Sequence, residues 1–114
     1  MPALDLLAEP VRRRILELLA PGERSSGAVT EVIQREFGIT QPAVSLHLRV
    51  LREGGLVSVR PEGARRLYAV NAAPLRDMEL WLAGFRHFWT PHLDRLDAEL
   101  TSSRRQKPKH RRNR

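Results

Sequence analysis

Gln41, Ser45, Arg49 and Arg52 recur at three- and four-residue spacing in the run GITQPAVSLHLRVLREGG, residues 38–55. At about 100° per residue on a helix, they fall on one side together with Pro42 and Leu46. Val44, Leu48 and Leu51 converge on the other side, bordered by Ala43, His47 and Val50. A glutamine amide presents a donor beside an acceptor, which matches the major-groove edge of adenine. A serine hydroxyl suits several base edges, and arginine reaches bases or phosphates. Thr40 is a good N-cap, and the free backbone N–H groups near Thr40 and Gln41 suit a phosphate. Taken alone, this face reads equally well as an ordinary solvated surface.

A second group of cations follows. Arg60, Arg65 and Arg66 flank Pro61-Glu62-Gly63-Ala64, between the strand-like runs LVSVR (56–60) and RRLYAV (65–70). The pattern predicts a hairpin. An isolated hairpin is marginal in water, so it must pack on something. It reads either as an edge hairpin kept soluble by charge, or as a wing lying along a nucleic-acid backbone beside the helix at 41–53. The adjacent candidate reading helix favours the wing. No chemistry of catalysis accompanies these groups. There is no phosphate-cradling glycine loop, nucleophile elbow or metal-hydrolase motif; cysteine is absent; and Ser25-Ser26 and Ser102-Ser103 have no evident base. The sequence predicts no enzyme and no cofactor.

The elements that position these groups are mostly helical. A first region from about Ala3 to Ala20 carries Leu4, Leu7, Ala8, Val11, Ile15 and Leu18 on one stripe. Pro10 suits a first-turn position, so a break near Glu9 is expected. A second helix is predicted over 26–37, with Val29, Val32, Ile33 and Phe37 inward and Gly38 at its left-handed end. A short turn then leads to the helix at 41–53, the connection of a helix-turn-helix. After the hairpin, Asn71 is a plausible cap for one long last helix. Its seam is Leu75, Met78, Leu82, Phe85 and Trp89, then Leu93, Leu96 and Leu100, with an interruption at Thr90-Pro91.

The chain has 114 residues, enough for one domain. Its net charge of +7 is unevenly placed, because seven of the 20 basic residues fall in residues 104–114 and residues 1–103 hold 13 basic and 13 acidic side chains. Residues 1–100 are expected to form the domain and residues 101–114 a disordered basic tail, either solubilising or a loose phosphate-binding arm. No apolar span or secretory leader is visible, so a cytoplasmic, nucleoid-associated protein without membrane contact is expected.

The run 38–70, with its Q-P-A-V-S-x-H-L signature, resembles the ArsR/SmtB family of winged helix-turn-helix repressors. The opening AEPVRRRILELLA, residues 8–20, is similar to that family's first helices, and the resemblance spans about residues 3–100. It implies a mostly α fold with a small β-hairpin that dimerises through its first and last helices. It places Gln41, Pro42, Ser45 and Leu46 toward an operator in double-stranded DNA. Leu46 departs from the polar or basic residue more usual there, and either touches a thymine methyl or adds nothing to sequence choice. The implied homodimer interface takes Leu4 and Leu7 from the first helix and Leu75, Met78, Leu82, Phe85, Trp89 and Leu93 from the last.

Many members of that family release DNA on binding metal, through cysteines or through Asp, His and Glu on the last helix. With no cysteine, the candidates are His87, His92, Asp94 and Asp97. His87 and His92 lie about 140° apart on a straight helix, and the spacing does not match the family's last-helix motif. The branch without metal is therefore expected, with metal response and sequence-indifferent DNA coating as alternatives. His47 is expected to make a structural hydrogen bond. Trp81, Phe85, Phe88 and Trp89 read as dimer core, or as a pocket for an unidentified apolar small-molecule effector. A protein-interaction role for this last helix is a third reading.

Overall fold

A computed structural model describes the backbone from Pro2 to Gln106 and side chains from residue 3 to residue 102. The element order is α1 (Pro2–Leu6), α2 (Pro10–Leu19), β1 (Arg24–Ser25), α3 (Ser26–Phe37), α4 (Gln41–Glu53), β2 (Val57–Glu62), β3 (Arg65–Val70), α5 (Ala72–Ala83) and α6 (Arg86–Gln106). The chain divides into two compact units that meet between Glu79 and Leu80.

In the first unit, local chemistry sets the helix ends. The Glu9 carboxylate accepts from the Val11 N–H at 2.9 Å, and Pro10 occupies the first turn of α2, so the break expected near Glu9 is present. Ser25 Oγ accepts from the Ala28 N–H at 3.1 Å to start α3. Gly38 closes α3 in the left-handed region at φ 68, which costs a side-chain-bearing residue more than glycine. Thr40 Oγ1 then accepts from the Ala43 N–H at 3.3 Å to open α4. Only Ile39 and Thr40 separate that glycine from the next helix, as a tight helix-turn-helix requires.

The core of this unit is apolar throughout. Ile15, Val29, Ile33, Val44, Leu51 and Leu56 are fully buried, with Leu19, Leu48, Val57, Tyr68 and Met78 nearly so. These residues come from α2, α3, α4, the turn after α4, the sheet and α5, so the inner face of α4 is held in the core. One expectation is corrected here: Phe37, read as inward, is 38% exposed at the end of α3. The Asn71 amide, directly before α5, donates to the Gly55 carbonyl at 2.8 Å and ties the base of the hairpin to the end of α4.

The sheet has three antiparallel strands in the order β1-β3-β2, one more than the hairpin predicted. β1 is two residues long and pairs Arg24 with Tyr68 and Ser25 with Leu67. The first hairpin strand also runs further toward the turn than expected. Pro61 and Glu62 belong to β2, and the turn is only Gly63 and Ala64, with Gly63 at φ 61. A glycine of positive φ at the first turn position matches the twist of a two-residue hairpin. Pro61 is tolerated because β2 is an edge strand. Register sorts the side chains. Val57, Val59, Pro61, Arg66, Tyr68 and Val70 share one face, and Ser58, Arg60, Glu62, Arg65, Leu67 and Ala69 share the other.

After β3, the expected single long helix is two, α5 and α6. The break falls at Gly84-Phe85, where the Gly84 and Phe85 N–H groups bond back to the Trp81 and Leu82 carbonyls at 3.1 and 2.9 Å. Thr90 and Pro91 lie inside α6. Glycine in a helix interior is costly, and the chain breaks there. Pro91 sits in the second turn of the new helix, where its missing N–H removes one bond, to the His87 carbonyl. The α6 helix continues past residue 100 to Gln106; residues 107–114, with most of the expected basic tail, lie outside the described residues. Among the described residues no helix is long and apolar enough to cross a membrane.

Candidate nucleic-acid interface

The α4 helix presents two chemically distinct faces. Val44, Leu48 and Leu51 are at most 2% exposed, while Gln41, Pro42, Ser45, Leu46, Arg49 and Arg52 all lie exposed on the opposite side. The amide nitrogen of Gln41 donates to Ser45 Oγ at 2.9 Å, so the two side chains stand as one polar unit a helical turn apart. Beyond that bond the exposed Gln41 amide carries a second N–H and a carbonyl oxygen, the donor and acceptor types that match N7 and N6 of adenine. Leu46 is 49% exposed beside them. Thr40 is exposed, but its hydroxyl is committed to the cap.

The outward face of α4 forms one wall of an open groove of about 530 Å³. Gln41, Pro42, Ser45, Leu46, Arg49 and Arg52 line it from α4, Tyr68 and Arg66 from β3, and Ser26 from the start of α3. Three cations therefore surround one concave surface. Tyr68 and Ser26 were not anticipated from sequence; Tyr68 follows from register, since it shares the strand face of Arg66.

The other two hairpin arginines are placed differently. Arg60 donates through Nε and Nη2 to both carboxylate oxygens of Glu23, each at 2.8 Å, and lies 3.6 Å from Glu62. Arg65 is hydrogen-bonded to Glu62 across the turn. The Arg60 hydrogen bond holds the Glu23 carboxyl below the usual carboxylate range. The three arginines stand out in the sequence, whereas these two carboxylates do not; Glu23 lies 37 positions from its partner.

His47 is half-buried at the edge of the inner face, where its Nδ1 accepts from Arg12 Nε of α2 at 3.2 Å. That bond requires a neutral ring. Burial, and then the nearby Arg12 charge, push the imidazole below its ordinary value of 6.5, against a smaller opposing pull from Glu9. The stability from this contact is therefore present above about 6.5 and is lost as pH falls through the lowered folded value. Thermal melts from pH 8 to pH 5 are expected to show a fall below pH 6.5 that is smaller in His47→Gln; equal curves would remove His47 as the cause.

Of the residues expected at a dimer interface, Leu4, Leu7 and Leu75 pack partly buried against the first unit's own core, and Met78 lies within it. Leu82, Phe85 and Leu93 are 39–56% exposed, and Trp89 is half-buried. Trp81 packs edge-on to Phe85 at 4.9 Å between ring centres, and Phe88 lies 67% exposed with its ring 4.7 Å from that of His92. His92 Nδ1 is taken up by the Phe88 carbonyl at 2.8 Å. Among the described residues, no three His, Asp or Glu side chains gather as a metal would need.

A glycine-turned helix pair, its second helix turned outward beside an arginine-bearing hairpin, defines a winged helix-turn-helix DNA-binding domain. Residues 7–60 match the family model of a helix-turn-helix domain. The chain is 32% identical over 79 residues to the transcriptional repressor SdpR of Bacillus subtilis (strain 168), covering 69% of this chain and 83% of that protein. Among solved structures, it is similar to a possible transcriptional regulator for arsenical resistance, with TM-score 0.64, 37% identity, and coverage of 87% of this chain and 96% of that one. It also resembles a homodimeric winged helix-turn-helix DNA-binding domain of a possible ArsR-family regulator, Mb0332 from Mycobacterium bovis, with TM-score 0.58, 31% identity, and coverage of 76% and 79%. The chain belongs to the ArsR/SmtB family of winged helix-turn-helix transcriptional repressors. Its members are DNA-binding regulators, not enzymes.

Proposed function

We propose that the protein is a homodimeric repressor that binds an imperfect palindrome overlapping a promoter and blocks polymerase there, working on the nucleoid in the cytoplasm. Each copy sets α4 in a major groove, with Gln41 and Ser45 on base edges and Arg49, Arg52 and Arg66 on the flanking backbone. The observation that carries this reading is the groove itself: the Gln41–Ser45 pair and three cations on one concave surface, held by a fully buried inner helix face. The homodimeric relative supports the assembly, as does the exposed apolar series at Leu82, Phe85, Leu93, Leu96 and Leu100.

The test is base preference. Gln41→Ala or Ser45→Ala is expected to flatten discrimination at one or two positions of each half-site, by on the order of 1–3 kcal/mol per lost contact. Because the two side chains are bonded to each other, the double variant should lose less than the sum of the singles. Competition binding with single-base operator variants reads this out. A uniform loss on every sequence would instead fit a protein that coats DNA without reading it.

A further inference from the structure

The register of the hairpin separates its three arginines. Arg66 stands on the strand face of Tyr68 and lines the α4 groove, whereas Arg60 and Arg65 stand on the opposite face with Glu62. There the charges close on themselves. Glu23 holds Arg60 through two parallel hydrogen bonds, and Glu62 engages Arg65 and approaches Arg60. Two guanidiniums and two carboxylates leave no net charge on that face. Exposed ion pairs contribute little in general, but two-point arginine–carboxylate geometry within a network is the arrangement in which they do count. The Glu23 contact also ties the edge strand β2 across β3 to the residue before β1, bracing the hairpin along its length.

We propose that the two wing faces have separate tasks: the Arg66 face takes the DNA backbone, and the opposite face is a brace in which Glu23 and Glu62 withhold Arg60 and Arg65 from phosphate. This rests on the DNA-binding reading above and sharpens it, because it makes Arg66 the single wing cation that displaces counterions and makes Arg60 a positioning residue. Glu62 then restrains affinity: removing its charge releases Arg65 toward the backbone.

Counterion release measures this directly, since each phosphate neutralised adds about 0.9 to the slope of log affinity against log salt. Titrations of operator DNA over a range of salt are expected to show Arg66→Ala losing about 0.9 of slope per subunit. Arg60→Gln and Arg65→Gln should lose none. Glu62→Gln should gain slope and bind every sequence more tightly, by about 5- to 10-fold per subunit near 0.1 M salt. A gain of that kind cannot come from a damaged fold, so this arm holds even if Arg60→Gln loosens the hairpin. Slopes that fall equally for Arg65→Gln and Arg66→Ala, or a Glu62→Gln protein no tighter than the parent, overturn the division of faces. Failure of the parent protein to bind any operator fragment would overturn the DNA-binding reading instead.

Discussion

Replacing Phe85 with aspartate and Leu93 with glutamate in one chain is expected to yield a monomer whose operator affinity is lower by about 10²–10⁴-fold, the factor lost when two linked half-site contacts become one. Both side chains are large, apolar and about half exposed, at 46% and 56%, and a charge enclosed unpaired at an interface costs several kcal/mol. The fold of the first unit should survive, because its core residues end at Met78. Phe85 immediately precedes α6 and its carbonyl accepts from the Phe88 and Trp89 N–H groups, a position where aspartate is a favourable cap. Sedimentation and titration of an isolated half-site read out the two parts. The variant should sediment as a monomer while keeping half-site affinity. A dimer that persists would move the interface elsewhere.

Leu51→Ala is expected to cost about 2–5 kcal/mol of stability, a large share of the roughly 5–15 kcal/mol that holds a domain together. Leu51 is 0% exposed on the inner face of α4, so its loss opens a cavity between that helix and the core. Leu46→Ala, on the same helix but 49% exposed, should change stability by no more than about 0.5 kcal/mol. Any larger effect is expected only in DNA binding, as a weaker preference at a thymine if Leu46 touches its methyl group. Denaturant melts of the pair separate the two faces of α4; similar costs for both would mean the helix is not held as described.

The α4 helix was legible in the sequence because a single periodicity sorted it. The positions that converge on Val44, Leu48 and Leu51 are the buried ones, and the polar remainder is the groove wall. Gly38 and Thr40 marked the turn for the same reason: each is the residue type its backbone position needs. What escaped depended on contacts far apart in the chain. β1 has two residues and no period to detect, and it exists because β3 offers a free edge. The neutralisation of Arg60 depends on Glu23, which only the folded sheet brings near. The break at Gly84 was hidden by an apolar seam running unbroken from Leu75 to Leu100 and by Pro91, a stronger-looking interruption that the helix absorbs.

Paired copies of α4 are expected to enter successive major grooves. Footprinting of the DNA fragments that the protein selects from a genomic pool tests it most directly. Two protected, inversely repeated half-sites with centres about 10 base pairs apart, or a multiple of that, are predicted, bound by two chains. Protection of a single unpaired site by one chain would contradict it.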